Sequence, residues 1–140
     1  MNSSRMWLVI AAFLGGSSVA LGAFGAHLLP GFLERQGLAA ELLQRRLGNW
    51  ETAAKYQMYH ALALLAIAWL VTHARPWEAN IAGWLFVAGV AIFSGCLYLL
   101  VLSGKSVLGA IVPIGGLLLI AGWGLLGLSA LLAQGPPSKP

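Results

Sequence analysis

Charged positions are sparse along this chain, and their order divides it. From the N-terminus they are Arg5, Glu34, Arg35, Glu41, Arg45, Arg46, Glu51, Lys55, Arg75, Glu78, Lys105 and Lys139. Between them lie four uncharged apolar stretches: Met6 to Leu33, Tyr56 to Ala74, Ala79 to Gly104 and Ser106 to Ser138. Each is about as long as the roughly 20 residues a helix needs to cross hydrocarbon. In lipid the backbone must satisfy its own N–H and C=O groups, so such runs are expected to be helical. The alternation of polar and apolar residues that marks a membrane β-barrel is absent.

The first span is expected from near Met6 to Leu29, ended by Pro30-Gly31. The second has a start signal at Asn49, with Glu51 in its first turn, and runs to about Thr72. Glu51 and Lys55 stand four apart, in the favourable order for a helical ion pair. Arg75-Pro76 marks a turn. The third span runs from about Ala79 to Ser103, Gly104-Lys105-Ser106 is a tight connection, and the fourth runs from about Val107 to Leu132. The loop Gly31 to Gly48 carries Leu38, Leu42, Leu43 and Leu47 at helical spacing, with Glu41, Arg45 and Arg46 on another side. That pattern predicts a short amphipathic helix lying in the interface. The short later connections favour antiparallel neighbours. The fold expected is all-α: an integral membrane four-helix bundle with a short amphipathic interfacial helix between the first two spans. Residues 1–133 form one transmembrane domain, and 134–140, with three prolines, a disordered tail.

Composition agrees. Of 140 residues 59% are hydrophobic and 9% charged, too little charge to cover a soluble surface. Arg5 followed by an apolar run and small residues resembles a secretory signal, but the run continues to Leu29, so a retained spanning helix is expected. The single cysteine, Cys96, has no internal disulfide partner and reads as a small packing residue. The net charge of +4 speaks to topology and anionic lipid, with no case for nucleic acid. Five cations on the side of the first and third loops, against three opposite, put those loops in the cytoplasm and both termini outside.

Small residues recur where helices should meet. Ser18, Gly22 and Ala26 are four apart, with Gly15 and Gly25 widening that face, and Gly83, Gly89 and Gly122 follow later. Without a hydrophobic effect between helices, such positions allow close backbone packing. Trp7, Trp77 and Trp84 fall near expected interfaces, and Trp123 lies deeper.

Polar groups inside apolar runs are costly and therefore informative. They are His27 in the first span; Tyr56, Gln57 and His60 in the second; Ser94 and Tyr98 in the third; and the Pro113 break with Gly115 and Gly116 in the fourth. An alternating topology puts all of them in one leaflet. They are candidate ligand-binding residues, for a lipid, a quinone or a small solute. The plainer alternative is that they tie the helices together by hydrogen bonds. Pro113 with two glycines permits either an unwound turn facing a cavity or a static kink. Two histidines and a tyrosine also suit a metal or haem, yet no dense ligand set accompanies them, and no cofactor is expected. No catalytic residues are assigned: nucleophile elbow, phosphate-binding loop and paired carboxylates are all missing.

The same residues carry a resemblance. Gly22-Ala-Phe-Gly-Ala-His27, Trp50-x-Thr-Ala53, Tyr56-Gln57, His60-Ala-Leu, Gly83-Trp84, Phe93-Ser-Gly95, Leu97-Tyr98, Leu108-Gly109, Pro113-Ile-Gly-Gly116 and Gly122-Trp123 occur in order. With them the chain resembles the YgdD/YwdK family of small bacterial inner-membrane proteins over about residues 5 to 130. Cys96 stands where the family pattern has a small hydroxyl residue, and Gly31 to Gly48 is longer than the usual connection. The resemblance implies a four-helix inner-membrane protein and no defined activity. Two main readings stand: a non-enzymatic accessory, scaffold or homo-oligomeric protein acting through its small-residue faces, with membrane lipids and a larger membrane complex as partners; or a binding or transport protein using His27, His60 and Tyr98. A metal- or haem-dependent redox protein is the third reading.

Overall fold

A computed structural model describes residues 2–73 and 76–132. It is all-helical: α1 (Ser3–His27), α2 (Leu29–Glu34), α3 (Ala40–His73), α4 (Pro76–Ser103) and α5 (Val107–Leu131). The side chain of Asn2 caps α1 by accepting from the Arg5 amide at 3.0 Å. α4 and α5 are joined by a turn in which Gly104 has φ +71°, a conformation that costs glycine least. The C-terminal tail and the Arg75 turn lie outside the described residues.

The long helices pack in chain order, α1 on α3, α3 on α4 and α4 on α5, while α3 and α5 barely touch. Three of them are long and apolar enough to cross a membrane: α1, residues 77–103 of α4, and α5. α3 is not among these, because Tyr56, Gln57, Tyr59 and His60 dilute its apolar half. The outward faces are apolar, with Phe13 71%, Trp77 74% and Leu131 84% exposed, the inverse of a water-soluble surface.

α1 ends at His27, ahead of Pro30 as expected, and Pro30 then opens the short α2, where its missing N–H costs nothing. One expectation about this connection is corrected. The amphipathic segment is not a separate interfacial helix. It forms the first turns of α3, which runs unbroken for 34 residues through Gly48-Asn49. The reason is tertiary. Leu38, Leu43 and Leu47 pack onto a buried cluster of Leu29, Leu33, Trp50 and Val101, and that burial outweighs a cap signal worth about 1 kcal/mol. Asn49 is therefore a mid-helix residue. The Glu51–Lys55 pair forms as expected at 2.6 Å, and its hydrogen bond and charge hold the Lys55 ammonium above its ordinary value.

The main core lies at the other end, where Trp7, Leu64, Ile67, Phe86 and Leu119 meet. Trp7 belongs to this core. It is fully buried, and its indole N–H donates to Asn80 Oδ1 at 2.8 Å.

Candidate functional site

The polar residues of the spans separate into two groups on α3. The first is built on Gln57, 5% exposed. Its amide nitrogen donates to the Leu14 carbonyl at 2.9 Å and to Ser17 Oγ at 2.8 Å, and its Oε1 accepts from the Tyr98 hydroxyl at 3.1 Å. Ser18 Oγ donates to the Ala54 carbonyl, Ser94 Oγ to the Ala53 carbonyl, and the Trp50 indole to the Leu21 carbonyl, each at 2.8 Å. These bonds tie α1, α3 and α4 together. Among the described residues no buried side-chain polar atom lacks a partner, and the donors of this group are spent on ties between helices.

The second group is built on His60, 3% exposed. His60 Nδ1 lies 2.7 Å from the Tyr56 carbonyl. A carbonyl only accepts, so Nδ1 carries the proton and Nε2 is left as an acceptor. Nε2 takes the Trp123 indole N–H at 3.2 Å, a long contact. Phe86 lies beside the ring, 5.2 Å between centroids, and Tyr56 stacks on Phe93 at 4.6 Å. Because α3 and α5 barely touch, a cleft of about 440 Å³ opens here, bounded by Tyr56, Tyr59, His60, Phe93, Gly116 and Trp123 among others. No charged residue lines it.

His27 belongs to neither group. It is exposed at the end of α1. Gly15 faces Ala61, next to His60. His27 is twelve residues further along α1 than Gly15, which puts it about 18 Å away along the helix axis. His73 stacks on Trp69 at the far end of α3. Among the described residues no three His, Cys, Asp or Glu side chains come together, and His27 and His60 stand too far apart to ligate one ion. His60 lies level with the middle of α1, and Trp7 with Asn80 and Ser4 with the Ala68 carbonyl form polar contacts at the opposite end.

Pro113 is exposed, and α5 continues through it. Gly115 is a packing position: a Cβ there would lie 2.5 Å from the Phe93 amide nitrogen. Gly116 is different, because a Cβ there meets only the Phe93 ring at 3.9 Å. The other small residues are largely consumed inside the molecule. Gly25 accommodates Trp50, Gly83 accommodates Trp7, Gly89 accommodates Leu119 and Gly122 accommodates Phe86. Gly22 and Ala26 remain, lining an open groove between α1 and α3.

Sequence reasoning missed Trp123 as the partner of His60, Asn80 as the partner of Trp7, and Ser17. Asn80 carried a signal, an amide inside an apolar run. Trp123 carried none, because the rotation of α5 about its axis decides which residue meets His60.

Comparison with known proteins finds relatives over most of the chain. The family model described as "Protein of unknown function (DUF423)" matches residues 21–116. A UPF0382 membrane protein of Staphylococcus haemolyticus is 42% identical over 125 residues, covering 89% of this chain and 94% of the relative. One from Staphylococcus epidermidis is 40% identical over 131 residues, covering 94% and 99%. The UPF0382 membrane protein YwdK of Bacillus subtilis is 36% identical over 128 residues, covering 91% and 97%. No solved structure matches the chain. With three apolar spans and relatives aligned almost end to end, the chain belongs to the DUF423 (UPF0382) family of membrane proteins, whose activity is unassigned.

Proposed function

We propose that this is a non-enzymatic inner-membrane protein of four spans that takes up a flat, neutral amphiphile of the quinol class from the bilayer into the α3–α5 cleft. The uncharged half of α3, Tyr56–His73, supplies the fourth span, and the cation balance puts both termini outside. The observation that carries the reading is the cleft itself. It lies between α3 and α5, level with the middle of α1, has aromatic walls, and is lined by the largely buried His60, whose Nε2 is an acceptor held in one tautomer and met only by a long indole contact. A ligand hydroxyl donates to that nitrogen in place of Trp123. A phosphate headgroup is disfavoured so deep in the bilayer, where no cation lines the wall. The scaffold alternative has less support, because the glycines it needs are mostly occupied by the chain's own side chains.

The test is titration of the full chain in lipid nanodiscs with a short-tailed ubiquinol analogue, followed by tryptophan fluorescence quenching. Saturable quenching is expected. Gly116→Leu, which fills the cleft from a position with room for a side chain, should abolish saturation, and His60→Phe should weaken it. Linear, unsaturable quenching in the native protein, or the same curve in Gly116→Leu, refutes the reading.

A further inference from the structure

The end of the molecule that carries the α2–α3 connection and the α4–α5 turn also gathers most of its cations. Arg45 and Arg46 stand in the early turns of α3, and Lys105 in the turn before α5. A cavity of about 360 Å³ opens beside them, with Arg45, Arg46, Asn49 and Ser106 as its polar wall and Leu42 and Leu100 as apolar wall. No carboxylate lines it; Glu41, one turn before Arg45, lies outside the lining. Among the described residues neither arginine forms an ion pair, while Glu51 is engaged by Lys55.

Arg46 is held in position before any ligand arrives. Its Nη1 donates to the Val101 carbonyl at 3.2 Å and to Gln36 Oε1 at 3.3 Å. Its Nη2 lies against Gly104, where a Cβ would stand 2.6 Å from it. Among the described residues Nη2 donates no hydrogen bond, so half of the guanidinium fork remains available. The first turn of α5 has no side-chain cap at Ser106, which leaves the positive end of that helix on the same wall.

We infer that this cavity holds the phosphodiester of an anionic phospholipid. Arg45 and Arg46 donate to the phosphate oxygens, Asn49 and Ser106 add neutral donors, and the acyl chains leave along Leu42 and Leu100. Guanidinium forks match phosphate geometry, and a basic pocket between helices at the edge of the hydrocarbon is the setting in which lipid headgroups are recognised. The apolar wall favours a lipid over a free anion. This site is separate from the α3–α5 cleft and does not depend on it.

The test is native mass spectrometry of the full chain with equimolar phosphatidylglycerol and phosphatidylcholine. The native protein is expected to retain phosphatidylglycerol preferentially. Arg45→Gln, on an exposed side chain, should lower that retention about fivefold, the value of one cation near a lipid surface. Arg5→Gln at the other end of the molecule removes the same charge and should change nothing, as should Gly116→Leu. Arg46→Gln should lose at least as much as Arg45→Gln; circular dichroism shows whether it stays folded, and Arg45→Gln alone carries the test if it does not. Equal retention of the two lipids, or an equal loss in Arg5→Gln, overturns the inference. So does displacement of phosphatidylglycerol by inorganic phosphate at equal concentration, which would make the site one for a free anion.

Discussion

Gly115 and Gly116 are adjacent and chemically identical, yet the structure assigns them opposite responses to one added methyl group. At Gly115 a Cβ would lie 2.5 Å from the Phe93 nitrogen and 2.9 Å from its Cα and Cβ. Ordinary contact is about 3.5 Å, so α4 and α5 must separate locally by roughly 1 Å. The obstacle is backbone and cannot rotate away. Leu119 against Gly89 and Gly122 against Phe86 share the same α5 face, so a separation at Gly115 loosens both. A gap of that size forfeits a quarter to a half of the dispersion energy across it, and overpacking of this kind costs about 2–3 kcal/mol. Alanine's better helix propensity returns up to about 1 kcal/mol. Gly115→Ala is therefore expected to destabilise by about 1–2 kcal/mol. Gly116→Ala meets only ordinary contact and should be neutral or stabilising by up to about 1 kcal/mol. The assay is unfolding of the purified protein in mixed micelles with rising dodecyl sulfate, followed by tryptophan fluorescence. Equal midpoints for the two variants, or a lower midpoint for Gly116→Ala, would refute the close α4–α5 approach.

Gln57→Leu removes the acceptor of Tyr98 and the donor to Leu14 and Ser17 together, and should cost about 1–3 kcal/mol by leaving buried groups unpaired. Tyr98→Phe removes one bond and should cost about 0.6 kcal/mol, the average for such bonds in a membrane; a larger loss for Tyr98→Phe than for Gln57→Leu in the same unfolding assay would contradict the network. Gly104→Ala forces a side chain into a φ of +71° and pushes on the Arg46 guanidinium; the backbone term alone is about 1–2 kcal/mol, and a midpoint unchanged from native would count against that turn.

The helical content and the division of the chain were legible because charge is excluded from hydrocarbon, and twelve charged residues punctuate the sequence with little ambiguity. The Gly104 turn and the bounds of α5 followed from the same logic. What was not legible depended on rotation and register. The spacing of Leu43 and Leu47 announced an amphipathic face correctly, but only Leu29, Leu33 and Val101, from other helices, decide that it packs on protein and extends α3. His27 and His60 fall on the same side of an alternating topology, yet the Gly15–Ala61 register separates them by about 18 Å. Of the candidate residues, Gln57, Ser94 and Tyr98 became ties between helices, Gly115 became a packing position, and His60, Tyr56 and Gly116 came together at an open cleft.

That sorting follows from how a small membrane protein divides its polar groups. A donor buried between two helices is satisfied by a carbonyl of the neighbouring backbone, as Ser18, Ser94 and Trp50 are, and once satisfied it has no proton left to offer a ligand. Substituting it changes stability and leaves recognition untouched. Recognition requires a group whose partner is exchangeable, next to space that lipid can enter. His60 Nε2 meets both conditions, because its partner is a half-exposed indole at 3.2 Å on a helix that barely touches α3. Arg46 Nη2 meets them at the membrane edge, beside a cavity without an acid. A variant series that separates stability from binding should thus divide at these positions: Gln57 and Ser94 variants shift unfolding midpoints in proportion to lost bonds, whereas Gly116→Leu and Arg45→Gln alter ligand retention at unchanged midpoint. Parallel loss of stability and binding at all four positions would mean that the cleft and the basic cavity are only gaps in packing.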